Sequence, residues 1–162
     1  MNKFKLEIGD NIITMIIKNK INDFSYMFSQ CDSLIDIKDL KYLDVREAKD
    51  FSYMFYKCSS LSDIKPLRNW NVSNGKDFKG MFLGCSLLSD VQPLEYWNVF
   101  NCNDFSYMFW GCSSLLDIKP LRRWKPFSGN DFKGMFFGCS PKINLDPIKN
   151  WKVSEKKVQY IK

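Results

Sequence analysis

The chain has 162 residues, 45% hydrophobic and 16% aromatic, with a net charge of +6. That length and balance suit one compact unit and exclude a collagen-like or acidic disordered chain. It contains no histidine, which removes Ser-His-Asp triads, His-ligated zinc and imidazole acid–base chemistry together.

Residues 1–22 carry Lys3, Lys5, Lys18 and Lys20 against Glu7 and Asp10. Glu7 and Asp10 sit where the apolar core of a secretory leader would begin, so no signal peptide is legible. The run from Ile12 to Ile17 is the longest aliphatic stretch, interrupted by Thr14, and is far too short to span a bilayer. The expected location is cytoplasmic, with the cell surface as the alternative. Phe4, Leu6, Ile8 and the Ile12–Ile17 run are expected to cap the remainder of the chain.

From Asp23 onward the chain repeats. Asp-Phe recurs at Asp23, Asp50, Asp77, Asp104 and Asp131, at a constant step of 27 residues. The register extends to Met27, Met54, Met81, Met108 and Met135, each followed by Phe, and then to Cys31, Cys58, Cys85, Cys112 and Cys139. It continues through Leu34, Leu61, Leu88 and Leu115, and ends at Leu43, Trp70, Trp97, Trp124 and Trp151. Fixed self-similarity of this kind marks units that bury their apolar faces only by stacking. The expected division is a cap over 1–22, five repeats over 23–157 (23–49, 50–76, 77–103, 104–130, 131–157) and a C-terminal tail over 158–162.

Within a repeat, the Asp is read as a helix N-cap, and the Phe, Met, Phe and Cys positions share one helical face. The SLSDIKPL stretch reads as an extended segment, ended by Pro66, Pro93, Pro120 or Pro147, which lack a ladder donor. The expected fold is a short right-handed α/β solenoid with a short parallel sheet. The repeats at 50 and 104 begin DFSYMF and those at 77 and 131 begin DFKGMF, so a 54-residue pair is itself duplicated.

The strings MFYKCSSLSDIKPLRNWNVSN and MFWGCSSLLDIKPLRRW resemble the BspA-like leucine-rich repeat family, known from surface proteins of mycoplasmas, other bacteria, protists and giant viruses. The departures are the longer unit and a Pro-Leu pair ahead of the Trp. The resemblance implies a leucine-rich-repeat-type solenoid of five 27-residue coils and a non-catalytic interaction scaffold, often at a surface or in adhesion. It transfers no catalytic residues.

The cysteines form no CxxC pair, so neither a metal site nor a cofactor is expected, and they read as small buried hydrophobes. Cys102 alone lies outside the repeated column, in a loop position, and is the candidate for a reactive thiol. Tyr26, Tyr53, Tyr107, Tyr56, Trp110 and Phe137 are candidates for an exposed aromatic patch. The stronger candidate is the extended face. There, Asp36, Asp63, Asp90 and Asp117 form an acidic column, with Lys38, Lys65 and Lys119 beside it. Either these residues bind a protein partner, or the neighbouring lysines neutralise the aspartates, or the aspartates cap local backbone donors. A third column, Lys41, Arg68, Glu95, Arg122 and Lys149, adds basic character, with Arg123 beside it. The acidic column argues against nucleic acid, and no small-molecule substrate is expected.

Overall fold

The computed structural model describes residues 2–8, 11–17, 19–126, 131–149 and 151. The predicted tail over 158–162, and residues 152–157 of the fifth repeat, lie outside the described residues.

The chain opens with two strands, β1 (Asn2–Ile8) and β2 (Asn11–Ile17), paired antiparallel from Asn2 opposite Ile17 to Ile8 opposite Asn11. Isoleucine and threonine, stiff at χ1, favour this extended backbone. The other edge of β1 pairs with the short β3 (Leu34–Asp36) of the first repeat, and the Lys5 N–H donates to Asp39 Oδ2 at 2.8 Å. The hairpin therefore lies against the first repeat, with Leu6 buried.

The expected helix over the DF-to-Cys stretch is not formed, and no α-helix occurs among the described residues. The reason is a left-handed backbone at two positions, four residues apart, in every repeat. These are Tyr26 and Gln30, Tyr53 and Lys57, Gly80 and Gly84, Tyr107 and Gly111, and Gly134 and Gly138. L-residues resist that conformation, and no α-helix accommodates it every fourth residue. The result is a chain of turns whose donors alternate. The Met27, Ser29 and Cys31 N–H groups donate three residues back, to Phe24, Tyr26 and Phe28. Between them, the Phe24, Tyr26, Phe28 and Gln30 N–H groups donate to Asp50, Ser52, Met54 and Tyr56 of the next repeat, at 2.6–3.0 Å. The same four-bond row joins the second repeat to the third, from Phe51, Tyr53, Phe55 and Lys57.

Parallel pairing thus exists, but at the Asp-Phe positions, as bridges between successive aspartates: Asp23 with Asp50, Asp50 with Asp77, Asp77 with Asp104, and Asp104 with Asp131. The expected extended face contributes only β3 and a bridge between Asp90 and Asp117. It folds instead into 3-10 turns at Lys38–Tyr42, Lys65–Leu67, Gln92–Leu94, Lys119–Arg123 and Asp146–Ile148. Proline inside the last four withholds an N–H, and its fixed φ suits the start of such a turn.

The core is a set of columns running through the repeats. Phe24, Phe51, Phe78, Phe105 and Phe132 stack with centroids 5.0–6.0 Å apart. Phe28, Phe55, Phe82, Phe109 and Phe136 stack at 5.4–5.7 Å. In the tryptophan column Trp70 stacks on Trp97 at 6.3 Å and Trp124 on Trp151 at 6.1 Å. Offset stacking of this kind adds to the area each ring buries. Polar handles also cross between repeats. Trp70, Trp97 and Trp124 donate Nε1–H to the carbonyls of Leu40, Leu67 and Leu94 at 2.8–3.1 Å.

The Tyr/Gly alternation within the duplicated pair has a packing reason. A Cβ on Gly80 would lie 2.5 Å from the Tyr53 ring, and one on Gly134 would lie 3.0 Å from Tyr107. Each glycine leaves room for the tyrosine of the repeat before it.

The left-handed positions carry a prediction. Lys57 stands at φ +57°, where the three later repeats have glycine. Replacing Lys57 with Gly should stabilise the protein by up to about 1 kcal/mol, because relief of left-handed strain exceeds the added chain entropy. A raised urea midpoint is the expected reading. An unchanged or lowered one would show that this backbone is unstrained.

Candidate interaction surface

Each predicted aspartate serves its own backbone first. Asp36, Asp63, Asp90 and Asp117 accept, through Oδ1, the N–H of the residue two positions on, at 2.6–2.8 Å. Asn144 does the same for Asp146 in the fifth repeat. These contacts set the entry to each 3-10 turn, an Asx-turn role open to a short polar side chain. Two further columns repeat the device. Asp23, Asp50, Asp77, Asp104 and Asp131 accept from Ser25, Ser52, Lys79, Ser106 and Lys133. Asp44, Asn71 and Asn98 accept from Arg46, Ser73 and Phe100. The second, third and fourth of the five Asp-Phe aspartates lie in the interior of their column. Half-buried Asp77 has its pKa raised by burial and by Asp104 and Asp50 on either side, although the Lys79 N–H opposes this.

The predicted lysines pair within their own repeats. Lys38 Nζ lies 2.6 Å from Asp36 Oδ2, while Lys65–Asp63 and Lys119–Asp117 are looser, at 3.9 and 3.8 Å. Partial burial works against ionisation of Asp36, but the Lys38 side chain and N–H outweigh it and hold its pKa down. Exposed pairs of this type contribute little stability, so their charge is open to a partner.

The third repeat breaks both outer columns. Gln92 stands where its neighbours have lysine, and Glu95 where they have arginine. Glu95 accepts from Arg123 Nε at 2.6 Å and Gln92 Nε2 at 2.5 Å. The Arg123 guanidinium lies 5.2 Å from the Tyr96 ring centre. Burial raises the Glu95 pKa, and the Arg123 and Gln92 hydrogen bonds outweigh it, leaving the pKa lowered. At this break a cleft of about 300 Å³ opens between the third and fourth repeats, lined by Asp90, Gln92, Glu95, Asp117, Lys119 and Arg122 among others. The structure thus brings Asp90, Asp117 and Lys119 into one polar cleft and leaves Asp36, Lys38, Asp63 and Lys65 along the surface beyond it. Glu95 and Arg122, which the repeat register puts in a basic column, also belong to this cleft. The substitutions at Gln92 and Glu95 are the sequence signal that these positions differ.

The other candidates fare differently. Cys102 is not a reactive loop thiol: it is buried, its Sγ lies 3.3 Å from the Asp104 carbonyl oxygen, and burial raises its pKa. The repeated cysteines are not joined as disulfides, and from the second repeat on each donates S–H to a carbonyl of the preceding repeat. Cys58, Cys85, Cys112 and Cys139 reach Phe28, Phe55, Phe82 and Phe109 at 3.0–3.2 Å. Of the proposed aromatic patch, Tyr26 and Phe137 are exposed. Tyr53, Tyr56, Tyr107 and Trp110 are half-buried against one another and their neighbours. Among the described residues, no cluster of His, Cys, Asp or Glu is arranged to hold a metal, and no helix is long and apolar enough to cross a membrane.

These features define a repeat protein whose units are joined by backbone ladders and present a charged, turn-capped surface. The chain matches the family described as mycoplasma protein of unknown function, DUF285, over residues 5–116 and 87–161, and belongs to that family. No curated protein and no solved structure matches it.

Proposed function

We propose that the protein is a non-catalytic protein–protein interaction scaffold, a solenoid of the BspA-like leucine-rich repeat type. It binds its partner through the 3-10 face, centred on the cleft of Asp90, Glu95, Asp117, Lys119 and Arg122. One observation carries this reading: the cleft lies where the third repeat departs from its neighbours at Gln92 and Glu95 while the buried columns remain apolar. Packing needs the columns, and it does not need this departure. Side chains of both signs in one cleft suit a protein surface carrying complementary charges. A surface or adhesion role is the form this reading takes if the protein is displayed outside the cell.

The turn-capping role of the aspartates dictates the test. Reversing Asp90 and Asp117 to Lys would remove two capping acceptors as well as two charges. Asn keeps Oδ1 and removes only the charge. Pull-down of a partner with wild type, and its loss from Asp90→Asn/Asp117→Asn and from Lys119→Glu/Arg122→Glu at unchanged thermal midpoint, is the expected result. A partner that the variants retain in full would sink the assignment of this face.

A further inference from the structure

Asn74–Gly75 is the chain's sole Asn-Gly step; every other asparagine precedes a larger residue. At such a step the backbone nitrogen of the second residue can attack the asparagine side chain, because glycine has no Cβ in the way and leaves the backbone free to turn. In the folded protein each reacting group is engaged elsewhere. The Gly75 N–H donates to the Val72 carbonyl at 2.8 Å, as the Ala48 and Cys102 N–H groups donate to Val45 and Val99 in the flanking repeats. The leaving group is also held, since Asn74 Nδ2 donates to the Arg46 carbonyl of the preceding repeat at 2.8 Å. Asn74 itself is exposed, but Gly75 is buried, and a Cβ there would lie 2.6 Å from the Phe78 ring.

We propose that Asn74 is a latent deamidation site, protected by folding, which reacts when the second repeat opens and then prevents that repeat from closing again. In the opened chain the Gly75 nitrogen gives up its proton to solvent and bonds to Asn74 Cγ. The Cγ–Nδ2 bond breaks, and the nitrogen takes up a proton and leaves as ammonia. Water then opens the five-membered imide. Addition at Cγ gives aspartate. Addition at the main-chain carbonyl gives isoaspartate, whose backbone runs through Cβ and Cγ and is one atom longer. The net change is one water consumed and one ammonia released. Both products lose the Nδ2 donor and bring a carboxylate to the Arg46 carbonyl oxygen, which needs a donor. Isoaspartate does more, because its extra backbone atom comes directly ahead of the ladder between repeats. There the Lys76 and Asp77 N–H groups donate to the Lys49 carbonyl at 2.7 and 3.2 Å, and the Phe78 N–H donates to Asp104 at 2.9 Å. Hydrogen bonds are directional, so a displaced backbone forfeits them. Each repeat is held mainly by its neighbours, so damage at this junction uncouples the first two repeats from the rest. The site is independent of whether the 3-10 face binds a protein.

The full chain, held in mildly alkaline buffer with and without guanidinium chloride, tests this by peptide mapping and isoaspartate-specific methylation. Asn74 should convert in the unfolded chain and at least about tenfold more slowly in the native one, where reaction waits on a local opening. After removal of the denaturant, the refolded fraction of wild type should fall in step with conversion at Asn74. Asn74→Gln keeps an amide donor and disfavours the ring closure, so its refolded fraction should hold over the same interval. Asn74→Asp, which carries the shorter of the two product backbones, should fold with a lowered urea midpoint. A native chain converting as fast as the unfolded one, an unfolded chain that does not convert, modified protein that refolds as well as fresh protein, or Asn74→Gln losing its refolded fraction alongside wild type would each overturn the proposal.

Discussion

Raising the pH from 8 to 11 should destabilise the protein steeply through its buried thiols. Burial pushes the Cys58 and Cys139 thiols up to about 12, from an ordinary value near 9. Cys85, Cys112 and Cys102 are raised for the same reason. A thiol with a raised pKa keeps its proton in the folded state and loses it in the unfolded one. The unfolded chain therefore binds fewer protons above about pH 9, and stability falls as pH rises through the window up to the folded value. Each thiol subtracts about 1.4 kcal/mol per pH unit in that window. Five of them acting together reach several kcal/mol within one unit, against a total stability of about 5–15 kcal/mol for a typical domain. Urea midpoints measured across this range should drop, and Cys85→Ala/Cys112→Ala should flatten the slope, which separates the thiols from the lysines and tyrosines. A slope identical in wild type and double variant would show that the thiols do not govern it.

The second large effect belongs to the middle of the phenylalanine stack. Phe82 is fully buried between Phe55 at 5.6 Å and Phe109 at 5.7 Å. Truncation to alanine should cost about 3–5 kcal/mol, as expected for a large aromatic whose site cannot collapse. Stacked repeats are coupled mainly to their neighbours, so the cost should depend on position along the array. Phe28→Ala should cost less, because Phe28 has a ring in this column on one side only and its neighbour Met27 is half-buried. Denaturation curves of the two variants test this. Equal losses at both positions would mean that the array does not behave as a one-dimensional stack.

The two expectations rest on columns that are visible in the sequence. A constant step of 27 residues assigns Phe82 and Cys85 to the same environments as Phe109 and Cys112, and repetition of an apolar residue type at one position means burial whatever the local backbone does. The thiols were legible as structural for the same reason. The backbone between the columns was not. Spacings of three and four residues place side chains on one side of an α-helix, and they do so equally in a run of turns whose N–H groups alternate between local and inter-repeat acceptors. The glycines at 80, 84, 134 and 138 held the clue, since they recur four residues apart where a helix tolerates them poorly. Tyr26, Gln30, Tyr53, Lys57 and Tyr107 hid it by adopting the same left-handed conformation without glycine.

The candidate surface divides along the same line. From sequence alone, the aspartate column and its lysine neighbours were recognisable as outward-facing, because they interrupt a buried pattern. Their first duty was decided by geometry: a carboxylate oxygen 2.6–2.8 Å from a backbone N–H two residues on replaces the strand ladder that the periodicity suggested. Only the stacked structure shows that the exceptions at Gln92 and Glu95 meet Asp117, Lys119 and Arg122 of the next repeat in a single cleft. Composition and period determine what must be buried, since hydrophobic burial depends on residue type and is indifferent to direction. Hydrogen bonds are directional, so the turn, the register between repeats and the cleft were settled only once the repeats lay against one another.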